Sequence, residues 1–255
     1  SIVRHMVSDV PVCSFLSGGI DSSIVTAVAS NYLTEKGAKL NTFSFDFKDN
    51  SLYFKSNAFQ PQRDRPFVDI MLKKYNLNHT YLECDENLLA DLLYTAVDAK
   101  DLPGMTDIDA SLLYFCSLVK IHNKVALTGE CADEIFGGYP WYHNKDILFK
   151  DTFPWSQSLD LRQSILKQGL LKDGEEYVKQ QYSDTVNKTD TLPGEGEFEI
   201  RMRQLFMLNL NWFMQTLLDR KDRMSMYNGL EVRVPFCDHR LVEYAFNMPW
   251  SGLTP

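Results

Sequence analysis

The sequence contains no C-x-x-C pair, no H-x-H or H-E-x-x-H pair, no internal repeat and no apolar run approaching ~18 residues. Its five cysteines (Cys13, Cys84, Cys116, Cys131, Cys237) are odd in number and widely spaced, which excludes a disulfide framework and a zinc site and makes a reducing cytosol the expected setting. The five histidines (His5, His79, His122, His143, His239) are scattered, so solvated or core-edge roles are expected of them. Without a long apolar run there is no membrane-spanning helix, and the opening Ser1-Ile2-Val3-Arg4-His5 has no signal-peptide core; a soluble, cytoplasmic chain without a membrane partner is expected. Positive charge is also short: 26 basic against 34 acidic residues give a net charge of −8, spread along the chain. That field repels polyanions and excludes nucleic acid as a partner, although a local cluster of N–H groups and cations can still hold a small anion.

What the sequence does have is enough apolar residue, 44% of 255, to bury a large core. The run 10–16 is short, apolar and closed by Gly18-Gly19, as a buried parallel strand would be. A helix is expected from Ile24 to Leu33, capped by Asp21, Ser22 and Ser23 and ended by Gly37. Strands are expected at 40–47, 79–82 and 124–128, with helices from about 67 to 74, 87 to 96 and 109 to 121 between them. Alternation of this kind predicts an α/β, doubly wound parallel sheet over about 8–140. Beyond Tyr139 long amphipathic segments take over and strands are expected to disappear, leaving a helical portion over about 141–255. In it, Met202, Leu205, Phe206, Leu208, Asn209 and Phe213 read as a core stripe. The polar stretch 48–65 reads as a mobile loop.

Ser17-Gly18-Gly19-Ile20-Asp21-Ser22-Ser23 lies between the first strand and its helix, so its backbone N–H groups form an anion site at the C-terminal edge of the sheet. Two glycines allow close approach to phosphate. A carboxylate there, Asp21, implies a hard cation bridging it to phosphate oxygens, and Mg²⁺ is the natural choice. The spacing is neither G-x-x-x-x-G-K-[ST], nor G-x-G-x-x-G, nor G-x-S-x-G. A second polar run, from Leu127 to Tyr139, follows another strand and should emerge on the same edge, where Asp21 and Asp133 could share Mg²⁺ and Glu130 could move a proton or bind an amine. A third, from Asp219 to Met226 and on through Gly229 to Asp238, supplies cations.

The heptad resembles the S-G-G-x-D-S loop of ATP-pyrophosphatases, an adenine nucleotide alpha hydrolase-like fold. With the T-G-E-x-x-D-E-x-F-G-G-Y and D-R-M-S-M…G-x-E-x-R-x-P-F runs, it resembles the synthetase domain of asparagine synthetases over about residues 8–248. The resemblance implies that Ser17, Gly18, Gly19, Asp21, Ser22 and Ser23 hold the pyrophosphate of ATP, with Asp21 and Asp133 on Mg²⁺. Leu16, Phe45, Thr128 and Gly129 would surround the AMP part, and Glu130 would sit at the reacting centre. A cation from Lys221 or Arg223 would stabilise the separating phosphates. As substrates it implies aspartate, adenylated on its side chain, and ammonia, which releases AMP; the loop 48–65 would close over the intermediate.

Thr128 stands where the family usually has Ser, and Cys131 where a small residue follows the Glu; both changes are mild. The family also implies an N-terminal glutaminase domain. This chain starts at Ser1 just before the synthetase domain and stops at Pro255, which reads as an excised fragment, a trimmed chain or a stand-alone relative, and a homodimer is compatible with either. Relatives that adenylate another carboxylate to close a β-lactam ring or an isopeptide bond, and a non-catalytic ATP-binding scaffold, are the competing readings. Cys13 and Cys116 lie in apolar segments and read as core residues. Glu231 and Arg233 could as well pair with each other as touch substrate.

Overall fold

The computed structural model describes residues 1–57, 60–167 and 169–250, leaving aside the side chains of Thr106 and Asp107. It divides into two compact units. The first comprises Ser1–Ala132 with Thr216–Val242, and the second Asp133–Gln215 with the segment from Glu243 on.

The first unit is built on one parallel sheet. Its strands β1 (Val12–Phe15), β2 (Leu40–Phe47), β3 (Leu77–Cys84), β4 (Val125–Leu127) and β5 (Glu231–Arg233) lie in the order β3-β2-β1-β4-β5. In register, Ser14 faces Thr42 on one side and Leu127 on the other, and Leu127 faces Arg233. Central β1 is buried along its whole length, as its unbroken apolar run predicts. The longer β2 and β3 pair over eight residues each.

β5 corrects the expectation that strands end before residue 140. Its three residues carry only one apolar side chain, Val232, so no two-residue period marks it. It forms because β4 offers an open edge, where Glu231 N donates to Lys124 O at 2.9 Å and Thr128 N to Arg233 O at 3.1 Å. Glu231 and Arg233 are then occupied structurally: Arg233 pairs with Glu231 at 2.6 Å and donates to the carbonyls of His5 and Val7.

The helix after β1 spans Ile20–Thr34 and is followed by Gly37 at φ 73°. Its N-cap is Gly19 and no side chain caps it, which corrects the assignment of Asp21, Ser22 and Ser23 as caps; they occupy the first turn instead. Within the stretch 48–65 a short helix runs from Asn50 to Tyr53 and the next starts at Arg65, while Ala58 and Phe59 lie outside the described residues. On one side of the sheet Cys13, Phe15, Phe43, Ala126 and Leu230 pack against Phe115, Cys116 and Val119 of helix Thr106–Lys120. Elsewhere Leu16 packs with Val68 and Met71. Burial pushes the thiols of Cys13 and Cys116 up to about 12, so both are inert core residues at neutral pH.

The second unit is helical as far as it is described. Helix Glu197–Leu208 passes through a π-helical turn, Asn209–Phe213, into helix Met214–Tyr227, whose later turns belong to the first unit. Met202, Leu205, Phe206, Leu208 and Asn209 of the expected stripe are buried, while Phe213, in the π-helical turn, is half-buried. Arg201 is buried too, and it satisfies the ends of neighbouring segments by donating to Leu148 O, Lys150 O and Tyr182 Oη at 2.5 to 2.7 Å.

Candidate active site at the switch point of the sheet

Strand order reverses between β1 and β4: sequence-consecutive strands run one way to β3 and the other way to β5. In an open parallel sheet the crevice outside the C-terminal ends of the two strands at such a point is where ligands bind. The loops leaving those two strands are the first and second sequence motifs.

The loop after β1 is shaped by its glycines. Gly18 takes φ 85°, a left-handed value, and a Cβ there would stand 2.6 Å from Phe67 Cβ and 2.8 Å from Val68 N. Ser22 folds back over the turn: its Oγ accepts from Ser17 N at 3.3 Å, lies 3.0 Å from Ser17 Oγ, and donates to Gly19 O at 3.1 Å. The loop is thus pre-formed, with the first-turn N–H groups of a 15-residue helix beneath it. Ser23 occupies that turn and its N–H bonds Gly19 O.

The second motif packs directly on the first. A Cβ on Gly129 would stand 2.6 Å from Ser22 N and 2.8 Å from Asp21 C, so only glycine allows the two loops to touch. Thr128, buried, directly follows β4. Cys131 turns the chain at φ 73°, a left-handed position that costs a non-glycine residue about 1–2 kcal/mol and brings Glu130 out before the next helix begins.

Beside the phosphate loop a cleft of about 190 Å³ opens along the ends of β1 and β2. Leu16, Phe43, Phe45 and Phe115 give it apolar walls, while Ser17, Asp46 and Asp64 give it polar ones. Flat aromatic walls next to an anion cradle suit a purine nucleotide.

Glu130 meets the third motif. Its Oε1 lies 3.0 Å from Lys221 Nζ and 3.5 Å from Arg220 Nη2, and its buried Oε2 has no hydrogen-bond partner among the described residues. Lys221 is buried, with its ammonium 5.4 Å from the centre of the Phe15 ring. Between the two candidate cations the geometry distinguishes clearly. Arg223 is half exposed and turned away, pairing with Asp101 and Asp219 at 3.5 Å each. Arg220, which sequence reasoning passed over, stands at Glu130. The signal was the helical phase, since Lys221, Met224 and Ser225 share the buried face of helix Met214–Tyr227 and Arg220 flanks it, whereas Asp222 and Arg223 are exposed.

The two carboxylates expected on a metal fall in different units. Asp21 lies in the first turn of helix Ile20–Thr34. Asp133 opens the second unit, where its carbonyl accepts from Gly137 N and Gly138 N and burial raises its carboxyl above the ordinary range. A Cβ on Gly138 would collide with Asp133 Oδ1, so any larger residue there would displace the carboxylate. A hard oxygen donor such as Asp21, in the first turn of the helix behind a phosphate cradle, fits Mg²⁺, which completes its shell with phosphate and water. Among the described residues no group of three or more His, Cys, Asp or Glu side chains gathers into a protein-only metal cage.

Fold and site together define a doubly wound α/β domain with a glycine-lined anion cradle and a carboxylate–lysine pair at its switch point. The family model for asparagine synthase matches residues 1–253. The chain is 49% identical over 254 residues, 98% of its length, to asparagine synthetase (glutamine-hydrolyzing) 3 of Bacillus subtilis strain 168, covering 41% of that protein. It is 30% identical over 284 residues to asparagine synthetase (glutamine-hydrolyzing) 1 of the same organism, covering 42% of it, and 30% identical over 164 residues to asparagine synthetase (glutamine-hydrolyzing) of Zea mays, with 60% of this chain and 26% of that protein covered. The chain belongs to the asparagine synthase family. It spans about two fifths of the length of the two Bacillus relatives.

Proposed function

We propose that this domain activates the side-chain carboxylate of aspartate with ATP and passes it to ammonia. The observation that carries this reading is the Glu130–Lys221 pair, held next to a loop that Gly129 locks against Asp21 and Ser22. A carboxylate resists ammonia because its carbon is a poor electrophile and oxide a poor leaving group. In the first step a carboxylate oxygen of aspartate attacks the α-phosphorus of ATP and the bond to pyrophosphate breaks. Ammonia then attacks the acyl carbon, AMP leaves, and asparagine forms with loss of a proton.

Each part of the site has a task in that sequence. The loop N–H groups and the hydroxyls of Ser17, Ser22 and Ser23 hold the pyrophosphate, and Leu16, Phe45, Thr128 and Gly129 enclose the AMP part. Lys221 meets negative charge where it develops. Glu130 offers a buried acceptor, Oε2, to the N–H of the incoming nucleophile. Mg²⁺ held by Asp21 and Asp133 would neutralise the departing pyrophosphate. The chemistry needs a water-poor cleft, which the four apolar walls support. The relatives' names include glutamine hydrolysis, so glutamine is the proposed origin of the ammonia. No helix among the described residues is long and apolar enough to cross a membrane, and the cytosol is the proposed compartment.

Pyrophosphate release from ATP and Mg²⁺, measured with aspartate and ammonium and with each omitted, tests the reading. Release should require aspartate and fall at least a hundredfold, by roughly the effect of removing one charge-stabilising group, in Asp21→Ala. Release at the same rate without aspartate, or in Asp21→Ala, would sink it.

A further inference from the structure

The cluster at Glu130 is not electrically closed. Two cations, Arg220 and Lys221, face a single carboxylate, and all three side chains are largely removed from water, with 12%, 8% and 22% of their surfaces exposed. Lys221 takes the close contact at 3.0 Å. Among the described residues Arg220 is left with one contact at 3.5 Å, the outer limit of a hydrogen bond, and its buried Nε has no partner. A guanidinium carries five donors in a planar fork, and a protein interior rarely leaves such a group unmatched. The free acids on the same helix do not serve it. Asp219 is engaged by Lys100 at 3.8 Å and by Arg223, and Asp222 faces solvent.

We propose that Arg220 is an anion receptor of the active site, binding a pair of oxygens from a reactant beside Glu130. This rests on the functional reading above. Guanidinium geometry matches carboxylate and phosphate alike, so the anion is a carboxylate of the amino-acid acceptor or a phosphate of the nucleotide. The amino-acid carboxylate fits the surroundings better. Phosphate already has a dedicated cradle in the loop after β1, whereas an amino acid presented to Glu130 brings one carboxylate to react and a second that no other described cation at Glu130 is free to meet. On this view Lys221 and Arg220 divide the work: Lys221 holds Glu130 and meets the charge that develops in the reaction, and Arg220 holds the second carboxylate of the acceptor. Arg220 would thereby restrict the acceptor to amino acids that carry a carboxylate besides the reacting one.

The test compares wild type with Arg220→Lys and Arg220→Gln, in direct calorimetric titrations with aspartate, ATP and pyrophosphate and in kinetics of pyrophosphate release. Arg220→Lys retains the charge and removes the fork. Loss of a charged, paired contact should raise the aspartate Kd and KM roughly ten- to a hundredfold while the ATP Kd stays within about twofold. Tenfold weaker ATP or pyrophosphate binding with aspartate unchanged assigns Arg220 to phosphate and overturns the acceptor assignment. Unchanged binding of all three ligands overturns the receptor role itself. Partial recovery of aspartate binding in Arg220→Gln on adding guanidinium would separate recognition from a purely structural role. Because the titrations need no turnover, a wild type that binds aspartate and ATP but releases no pyrophosphate would count against the synthetase reading while Arg220 is still judged by affinity.

Discussion

Replacing Gly129 by alanine perturbs the contact on which the site depends. The added methyl would lie 2.6 Å from Ser22 N, 2.8 Å from Asp21 C and 3.0 Å from Asp21 Cβ, and backbone cannot rotate aside as a flexible side chain can. Restoring an ordinary contact of 3.4 Å from 2.6 Å requires about 0.8 Å of movement between the loops after β1 and β4. Overpacking of this kind costs about 1–3 kcal/mol, or roughly 3–10 °C of Tm in a chain this size. The catalytic cost should be larger, because a reacting group displaced by about 1 Å loses on the order of a hundredfold in rate. Aspartate-dependent pyrophosphate release should therefore fall about a hundredfold in kcat/KM, while circular dichroism keeps the wild-type spectrum and the Tm drops by several degrees. A Gly129→Ala enzyme with wild-type kinetics and Tm would refute the direct packing of the second motif on the phosphate loop.

Three further outcomes follow from individual side chains. Lys221→Met should lower kcat about a hundred- to a thousandfold, whereas Arg223→Met, which loses only half-exposed pairs with Asp101 and Asp219, should change it far less; equal losses in steady-state assays would reverse the assignment. Ser22→Ala removes the hydroxyl that ties Ser17 to Gly19 and should cost about 1 kcal/mol in urea denaturation, with weakened pyrophosphate inhibition. His79 has its pKa lowered to about 4, first by burial, partly opposed by Asp69 and reinforced by Arg65, and its buried Nε2 has no partner among the described residues. The unfolded chain takes up that proton near pH 6.5 and the folded one resists it, so stability is complete above that value and declines as pH falls toward 4. Solvent screening at this partly exposed site limits the loss to about 1–2 kcal/mol, and His79→Gln should flatten the urea midpoint between pH 7 and 5.

Much of this architecture is legible before any coordinates, and the reason is local. β1 and β2 announce themselves because a buried parallel strand needs an unbroken or alternating apolar run, and the loops that follow carry glycines where backbone must approach backbone. What the sequence conceals is decided by partners far away in the chain. Glu231-Val232-Arg233 has no strand period; it becomes β5 only because β4 leaves an edge to pair with. Asp21 looks like a cap until Gly19 is seen to take that position. The choice between Lys221 and Arg223 is different in kind, since the information was present as helical phase: Met224 and Ser225 fix the inward face, Lys221 lies on it and Arg223 points outward. Arg220 shows the limit of motif reading. Its type and position mark it only as one more charge in a charged stretch. Its meaning appears when the carboxylate beside it proves to be already taken by Lys221, which leaves a buried guanidinium whose remaining donors call for a reactant.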